Sequence, residues 1–345
     1  MRALVYHGPG HRSFESVPDP TILDDRDVIV SVGAVTICGT DLHILKGDVP
    51  EVTPGRILGH EAVGTIVAAG SGVRDRKVGD RVLISCISAC GSCTYCRQAR
   101  YGQCLSGGGW VLGHLIDGTQ AELVRVPFAD LSTYVLPPTL DPGTAVLLAD
   151  ILPTAYEVGV LAAKVMPGDT VVIVGAGPIG LAAVATARLL SPAHLVVVDR
   201  DEGRLQAAKQ LGADITLQAG SDVTSAVREL TGGLGADAAL EAVGIPETFE
   251  LCTELVRPGG RVANIGVHGK PATLHLESLW IRDITMTTGL VDTSTTPRLL
   301  TMLASGQLDI GEIVTHRFGF DEMAEAYDVF SMPQDSGALK VVLFR

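Results

Sequence analysis

The sequence predicts an α/β protein in which an antiparallel β region is followed by a doubly wound parallel sheet. Two observations carry this prediction. Residues 1–150 contain short apolar segments separated by Gly, Pro and Asp, as is typical of antiparallel β structure. After Pro153, apolar segments alternate with helical stretches at fairly even spacing. This βαβ rhythm predicts a parallel sheet covered by helices.

The length and charge of the chain limit the classes of protein to consider. A chain of 345 residues is long enough for about two domains, and its 46% of hydrophobic residues can form a sizeable core. Acidic residues (39) outnumber basic ones (26), and the formal net charge is −13. Because nucleic-acid binding needs a basic face, we expect no nucleic-acid partner.

We expect a cytoplasmic protein without a membrane partner. Residues 1–10 contain no long apolar run of the kind found in secretory signals. The uncharged stretch 170–187 approaches the length of a bilayer span, but a glycine motif interrupts it. Two short buried elements joined by a glycine loop explain this stretch better than one spanning helix.

The predicted elements follow the same division of the chain. In the first region the predicted strands are 27–32, 64–68, 81–84 and 121–126. In the second region the predicted strands are 170–174, 195–198, 236–241 and 260–266, and the predicted helices are 181–190, 202–211 and 246–255. Near the end, 297–306 and 321–330 are predicted helices and 339–344 is a closing strand.

A glycine motif of the form G-x-G-x-x-G opens the second region. Gly175, Gly177 and Gly180 lie between an apolar strand and a helix, which is the context that dinucleotide binding requires. The first glycine makes the turn, the second admits a pyrophosphate against backbone N–H groups, and the third lets helix and strand pack closely. The alternative, an accidental glycine turn, does not explain this context.

An acidic residue ends the next predicted strand. Asp199 lies 19 residues after Gly180, where a carboxylate can accept hydrogen bonds from ribose hydroxyls and repel a 2′-phosphate. This favours NAD over NADP. Arg200 argues against this preference, because an arginine directly after the strand can bind the 2′-phosphate of NADP.

Four of the seven cysteines form a compact group, C-x₂-C-x₂-C-x₇-C, at Cys90, Cys93, Cys96 and Cys104. Four thiolates at this spacing can enclose one tetrahedral Zn²⁺ with no open position, which describes a structural site. An iron–sulfur cluster is the main alternative, and disulfides are not expected. Cys86 and Cys252 are interpreted as packing residues.

A second constellation contains Cys38, then His60, and much later Asp150. A thiolate, an imidazole and a carboxylate are ligands of the kind that hold a catalytic zinc with one open position. Each residue also has an ordinary structural explanation. Cys38 can be a small buried residue, His60 a core histidine, and Asp150 a helix N-cap.

Several segments together resemble the zinc-dependent alcohol dehydrogenases of the medium-chain dehydrogenase/reductase superfamily. These segments are 38–43, 59–64, 78–82, the four-cysteine group and 175–180. The chain is most similar to the bacterial type with aspartate as the third zinc ligand, whereas many relatives have cysteine there. The resemblance implies a GroES-like catalytic domain from residues 1–152 and 295–345, with a structural zinc lobe at about 86–108. It also implies a Rossmann NAD-binding domain over 153–294.

The resemblance further implies roles for individual residues. At the catalytic metal, the implied ligands are Cys38, His60 and Asp150. Glu61 would lie behind the ion, and Asp41 would accept a hydrogen bond from His60. Thr40 would bind the substrate oxygen and His43 would pass its proton outward. The implied cofactor contacts are Thr154, Gly175, Gly177, Pro178, Ile179, Gly180, Asp199, Arg200, Arg204, Val243, Gly266 and Lys340. Trp110 and Leu290 would line the substrate pocket. Trp110 can instead be ordinary loop packing, and Lys340 a solvated surface residue.

The sequence thus predicts an NAD-dependent alcohol dehydrogenase with two Zn²⁺ per chain, one catalytic and one structural. The expected substrates are small alcohols, aldehydes or ketones, and the resemblance implies a homotetramer. A polyol or formaldehyde dehydrogenase of the same superfamily is one alternative. A non-catalytic NAD-binding zinc protein is another.

Overall fold

The structure, a computed structural model, describes residues 1–345. Internal contacts divide the chain into two compact units. Unit 1 comprises Met1–Asp150, Val291–Ser305 and Val314–Arg345. Unit 2 comprises Ile151–Leu290 and Gly306–Ile313.

The strands are β1 (Arg2–Gly8), β2 (His11–Ser16), β3 (Val28–Thr36), β4 (Ala62–Ala69), β5 (Arg81–Ile84), β6 (Leu123–Val126), β7 (Thr133–Val135), β8 (Thr170–Val174), β9 (His194–Asp199), β10 (Ile215–Gln218), β11 (Ala236–Glu241), β12 (Val256–Asn264), β13 (Thr285–Thr288), β14 (Val314–Gly319) and β15 (Lys340–Phe344).

The α-helices are α1 (Gly39–Lys46), α2 (Ala129–Ser132), α3 (Pro142–Ala145), α4 (Ile151–Thr154), α5 (Pro178–Arg188), α6 (Glu202–Gln210), α7 (Val223–Leu230), α8 (Pro246–Leu255), α9 (Leu276–Leu279), α10 (Thr296–Ala304), α11 (Met323–Ser331) and α12 (Pro333–Ser336). A π-helical stretch covers Ala155–Leu161, and short 3₁₀ turns cover Cys96–Gln98, Tyr101–Gln103, Val146–Leu148, Gly311–Ile313 and Phe320–Glu322.

Unit 1 is built on a seven-stranded sheet of order β14-β15-β3-β4-β5-β7, with β6 also pairing to β3. All pairs are antiparallel except β14 with β15, and β1 and β2 form a separate antiparallel pair. The strands bury Val, Ile and Leu in one core that includes Val30, Ile66 and Leu343. Because β3 and β4 run antiparallel, Cys38 just after β3 and His60 just before β4 lie at the same end of the sheet.

Unit 2 contains a six-stranded parallel sheet of order β10-β9-β8-β11-β12-β13. The strand order reverses between β8 and β11, which is the doubly wound arrangement. The predicted α/β class with a doubly wound sheet is confirmed. In such sheets, ligands bind beyond the carboxyl ends of the strands at the point of reversal. The glycine motif directly follows β8 and therefore lies at this point.

The predicted elements differ from the structure mainly at their ends. Strand β3 continues to Thr36, helix α5 begins at Pro178, and β12 begins at Val256 and ends at Asn264. The sequence patterns missed the strands β1, β2, β7, β10, β13 and β14 and the helices α1, α2, α3, α4, α7, α9 and α12. Of these, β2, β10, β13 and β14 have no buried residue, so their sequences lack a strong apolar alternation.

One helical run, Pro142–Leu161, is long and apolar enough to cross a membrane by length and composition. In the structure, 72% of its most apolar window is buried inside the protein. A core helix has the same properties, so this run is weak evidence for a membrane span.

Candidate active site

Three residues that are far apart in the sequence come together in unit 1. Cys38 lies between β3 and α1, His60 precedes β4, and Asp150 precedes α4. Asp150 Oδ2 is 3.7 Å from Cys38 Sγ and 3.4 Å from His60 Nε2. Glu61 joins the group, and one ligand atom of each of the four residues lies within 4.8 Å of the others. His60 is only 4% exposed.

The spacing of these donor atoms fits a single tetrahedral metal ion. Bonds of 2.0–2.3 Å at tetrahedral angles hold ligand atoms roughly 3.3–3.8 Å apart. The two distances from Asp150 Oδ2 fall in this range. A thiolate, an imidazole and a carboxylate also match the ligand types of catalytic zinc. The residues present therefore fit Zn²⁺.

The electrostatics of the group favour a positive charge among its members. Burial by itself would lower the pKa of His60, but its contacts with Asp150 and Cys38 raise that pKa well above the ordinary value. Burial also raises the pKa of Glu61 to about 7, and Lys340 opposes this shift. Because the acidic groups Cys38, Glu61 and Asp150 are crowded together, a cation at their centre would stabilise their charged forms.

Glu61 forms a buried ion pair with Lys340. Lys340 Nζ donates to Glu61 Oε2 at 2.7 Å and to the Ile37 carbonyl at 3.2 Å. Glu61 Oε1 is buried and has no hydrogen-bond partner within the protein. Lys340 is only 1% exposed, so the alternative of a solvated surface lysine is wrong. Strand β15 pairs with β3 and carries the lysine into the interior. The expected contact of Lys340 with cofactor phosphates stays a prediction.

Asp41 has different partners from those expected. Its Oδ2 accepts the backbone N–H of Cys38 at 2.9 Å and Nε2 of Gln120 at 3.0 Å, and Oδ1 has no partner. The prediction that Asp41 accepts a hydrogen bond from His60 is therefore wrong. Asp41 is the third residue of α1, where a carboxylate satisfies the free N–H at the helix start. Burial raises the pKa of Asp41.

Cys86 contacts the same carboxylate that completes the candidate metal site. Its thiol is buried and lies 3.7 Å from Asp150 Oδ1, while its backbone N–H bonds the Ala149 carbonyl at 3.0 Å. Burial raises the pKa of this thiol well above its ordinary value, so it remains a thiol and can act as a weak donor. Cys86 therefore does more than fill space, because it contacts Asp150 Oδ1, whereas Cys38 and His60 contact Oδ2 of the same carboxylate.

Thr40 and His43 both lie on helix α1, which begins directly after Cys38. The Thr40 hydroxyl is 3.6 Å from Cys38 Sγ, so it lies beside the candidate metal site. His43 is one turn further along and is partly exposed. Its Nδ1 lies 2.8 Å from Asp48 Oδ2.

Trp110 lies edge-on to His60, with ring centroids 6.3 Å apart and an interplanar angle of 77°. His114 also contacts Trp110, because its ring stacks on the indole with centroids 4.1 Å apart and its Nδ1 is 3.0 Å from the Trp110 carbonyl oxygen. The structure thus places Trp110 against the candidate metal group. The sequence analysis does not predict this stacking. Its only signal in the sequence is the four-residue spacing between Trp110 and His114.

The four-cysteine group also fits one metal ion. Its four sulfurs lie within 4.8 Å of one another, and Sγ of Cys90 and Cys96 are 3.8 Å apart. The edge of a tetrahedron with Zn–S bonds of 2.3 Å is about 3.8 Å. Burial raises the pKa of Cys90, but hydrogen bonds from Ser106 and Ser92 outweigh it and lower the pKa to about 5. The spacing favours one zinc over a cluster, in which separate irons hold the thiolates.

The glycine motif of unit 2 forms a tight strand-to-helix turn. Gly175 has φ of 103°, a conformation that favours glycine. A Cβ on Gly180 would lie 1.8 Å from the Gly175 carbonyl oxygen, so only glycine fits where the helix begins. A Cβ on Gly177, the N-cap of α5, would meet nothing within 4 Å. The loop is thus close-packed behind the turn and open at its middle glycine, as a pyrophosphate cradle requires.

Asp199, at the end of β9, accepts a hydrogen bond from this loop. Its Oδ2 accepts the N–H of Ala176 at 2.6 Å, and its Oδ1 accepts the N–H of Asp201 at 2.9 Å. Each carboxylate oxygen keeps a further acceptor site for a hydroxyl group. Arg200 is exposed at the next position.

The other predicted cofactor residues of unit 2 lie on several different elements. The N–H of Val243 bonds to Glu241 Oε1 at 2.8 Å, and the N–H of Gly266 bonds to the Glu241 carbonyl at 3.2 Å. Arg204 is in the first turn of α6, Pro178 and Ile179 begin α5, and Thr154 ends α4. Leu290 is exposed and also belongs to unit 2.

Two family models match the chain. An alcohol dehydrogenase GroES-like domain matches residues 24–138, and a zinc-binding dehydrogenase domain matches residues 178–305. Together they cover more than half of the sequence. The predicted GroES-like and Rossmann domain types agree with these matches and with the two sheets.

Three similar proteins cover nearly all of the chain. An alcohol dehydrogenase of Cupriavidus necator is 36% identical over 363 residues, covering 99% of this chain and 98% of its own. The apo form of zinc-dependent alcohol dehydrogenase 2 from Streptococcus pneumonia has a TM-score of 0.96 and 47% identity, covering 100% of this chain and 98% of its own. A zinc-binding dehydrogenase of Sinorhizobium meliloti bound to NADP has a TM-score of 0.88 and 30% identity, covering 100% and 99%.

Proposed function

The chain belongs to the zinc-dependent alcohol dehydrogenases of the medium-chain dehydrogenase/reductase superfamily, and from this premise we propose that it oxidises small alcohols with NAD⁺ and reduces the corresponding carbonyls with NADH. The family is one of zinc-binding oxidoreductases. The substrate class, the preference for NAD and the presence of two zinc ions per chain belong to the proposal.

One observation carries the proposal, namely the convergence of Cys38, His60 and Asp150. Their donor atoms are spaced for one tetrahedral ion, although 112 residues separate the first from the last. A purely structural zinc site would need four firmly held protein ligands. Here Glu61, the fourth member of the group, forms an ion pair with Lys340. This ion pair supports a zinc site with three protein ligands and one position left for substrate.

The residues of the site have separate tasks in the proposed reaction. Zinc held by Cys38, His60 and Asp150 would supply Lewis acidity toward a substrate oxygen, and NAD⁺ would accept the hydride. The Thr40 hydroxyl, which lies 3.6 Å from Cys38 Sγ, would bind the substrate O–H group and accept its hydrogen bond. The indole of Trp110, which lies edge-on to His60, would exclude water on that side and limit the size of the substrate.

The glycine loop of unit 2 supports nicotinamide dinucleotide binding. The open middle glycine and the first N–H groups of α5 suit a pyrophosphate, and the Asp199 carboxylate suits the ribose hydroxyls. Because the Sinorhizobium meliloti relative is bound to NADP, both cofactors belong in any test.

A substrate panel tests the proposed function. Zinc-loaded protein is incubated with ethanol, 2-propanol, sorbitol and glutathione-trapped formaldehyde, each with NAD⁺ and with NADP⁺, and the reduced cofactor is followed by absorbance. We expect turnover of ethanol or 2-propanol with NAD⁺. Turnover of sorbitol alone would identify a polyol dehydrogenase, and turnover of formaldehyde alone would identify a formaldehyde dehydrogenase. Cofactor binding without turnover of any substrate would identify a non-catalytic protein.

Replacing the Asp199 carboxylate by an amide tests the cofactor preference. Asp199→Asn removes the negative charge that repels a 2′-phosphate and one acceptor for the ribose. We expect the ratio of kcat/KM for NAD⁺ to that for NADP⁺ to fall by about tenfold to a hundredfold, equivalent to about 1.4–2.8 kcal/mol. Steady-state kinetics with both cofactors measure this ratio.

Asp201→Asn is the matched control for this prediction. Asp201 caps α6 by accepting the N–H of Arg204 at 3.0 Å, and asparagine caps helices equally well. The control makes the same charge change two residues away, so the ratio is expected to stay within about twofold of wild type. An equal shift in both variants would show that overall charge, and not the Asp199 contact, sets the preference.

Two further properties are proposed from the family alone. We place the protein in the cytoplasm as a homotetramer, and size-exclusion chromatography with light scattering tests the oligomeric state.

A further inference from the structure

The end of helix α1 folds back on itself in a hydrogen-bonded cap. Gly47 has φ of 86°, and its N–H bonds the Ile44 carbonyl at 3.0 Å. The N–H of Asp48 bonds the His43 carbonyl, also at 3.0 Å. These two bonds form a Schellman motif, in which a left-handed glycine returns the chain over the last turn. The motif therefore fixes the backbone of Asp48 next to that of His43.

The side chains of the same two residues are also joined. Asp48 Oδ2 lies 2.8 Å from His43 Nδ1. An ionised carboxylate can only accept hydrogen bonds, so the hydrogen in this contact is on Nδ1. A neutral imidazole with its hydrogen on Nδ1 has a lone pair on Nε2. The contact thus makes Nε2 the atom of His43 that can accept a proton.

The contact adds little to the stability of the fold. The two side chains are 31% and 44% exposed, and ion pairs of this kind contribute little to folding. The Schellman motif uses the backbone of Asp48 and does not need its carboxylate. The carboxylate of Asp48 is therefore not needed for the helix end, and it is bonded to His43.

We propose that Asp48 is a positioning residue for proton release, holding His43 so that Nε2 accepts the proton lost by the alcohol. The inference rests on the proposed function. In that reaction the C–H bond of the alcohol gives a hydride to NAD⁺, forming NADH and the carbonyl product. The O–H bond gives its proton to His43 Nε2, either directly or through intervening hydroxyl groups. The imidazolium, stabilised by Asp48, then releases the proton to water, which its exposure permits.

A mutant cycle separates this role from a structural one. Wild type, Asp48→Ala, His43→Gln and the double variant are compared as zinc-loaded enzymes in alcohol oxidation. We expect Asp48→Ala to lower kcat/KM about tenfold, a fraction of the 10²–10⁴ that general base catalysis contributes. In the His43→Gln background the same change should have no further effect. The thermal midpoint of Asp48→Ala should remain within about 3 °C of wild type.

Asp48→Asn is the conservative variant. Its amide oxygen can still accept the Nδ1–H of His43, so we expect activity between those of wild type and Asp48→Ala. An equal loss from Asp48→Ala in the presence and absence of His43 would overturn the proposal, because Asp48 would then act independently of the histidine.

The protonation of His43 supplies a readout that needs no turnover. In ¹⁵N-histidine-labelled, zinc-loaded protein, the His43 signals are identified by their loss in His43→Gln. We expect neutral His43 to carry its hydrogen on Nδ1, and Asp48→Ala to shift the hydrogen toward Nε2. A wild-type ring with its hydrogen on Nε2 would overturn the proposal. Failure of wild type to oxidise any alcohol would overturn the proposed function and the proton role together. Turnover that is insensitive to Asp48→Ala would overturn the proton role alone.

Discussion

Replacement of Cys38 by alanine is expected to remove one zinc ion per chain and to reduce alcohol oxidation by at least about a thousandfold, or about 4 kcal/mol in the activation barrier. The thiolate is one of the three proposed zinc ligands, and its removal leaves only two of them, His60 and Asp150. The four-cysteine group is unchanged, so one zinc should remain. Metal analysis for zinc and iron, with steady-state kinetics on the same samples, measures both effects.

Cys252→Ala is the matched control for this experiment. Cys252 is a fully buried thiol in the core of unit 2 and belongs to neither cysteine group. This variant should keep both zinc ions and its activity, at a cost in stability of about 1 kcal/mol. Retention of two zinc ions and full activity by Cys38→Ala would refute the assignment of Cys38 as a ligand.

Gly180→Ala is expected to have the largest effect on unit 2. The added Cβ would lie 1.8 Å from the Gly175 carbonyl oxygen and 2.8 Å from its carbon, and both atoms belong to the backbone. Helix α5 and the loop before it must then move apart, at a cost of about 3 kcal/mol in the free energy of unfolding. We also expect NAD⁺ binding to be lost. Denaturant unfolding and calorimetric titration with NAD⁺ measure the two effects.

Gly177→Ala separates cofactor binding from folding. At this position φ is −69°, and a Cβ meets nothing within 4 Å, so the free energy of unfolding should change by less than about 0.5 kcal/mol. If the pyrophosphate approaches this glycine, the added methyl group will still weaken NAD⁺ binding by about tenfold or more. Unchanged NAD⁺ affinity in Gly177→Ala would argue against the proposed pyrophosphate position.

Features that depend on neighbouring residues could be predicted from the sequence. Strand β8, the glycine turn and helix α5 follow one another directly, so their pattern is complete within a short segment. The four cysteines lie within 15 residues, and their spacing alone suggests a metal. Asp150 differs, because it is 112 residues from Cys38 and no spacing in the sequence connects the two. Its ligand type and the resemblance to a family predict it as the third ligand.

Contacts that arise from strand pairing could not be predicted in this way. Lys340 reaches Glu61 because β15 pairs with β3, and 279 residues separate the two side chains. The contact of Cys86 with Asp150 depends equally on tertiary packing. Neither pair has a signal in the local sequence. The pairing of His43 with Asp48 is different, because a histidine, a left-handed glycine and an aspartate at these positions form a readable helix-end pattern.

The most direct measurement is anomalous X-ray diffraction from crystals of the zinc-loaded protein, recorded on both sides of the zinc absorption edge. We expect one anomalous difference peak at about 2.0–2.3 Å from Cys38 Sγ, His60 Nε2 and Asp150 Oδ2, and a second peak among the four cysteines. A single peak at the four cysteines, with no zinc shared by Cys38, His60 and Asp150, would contradict this prediction.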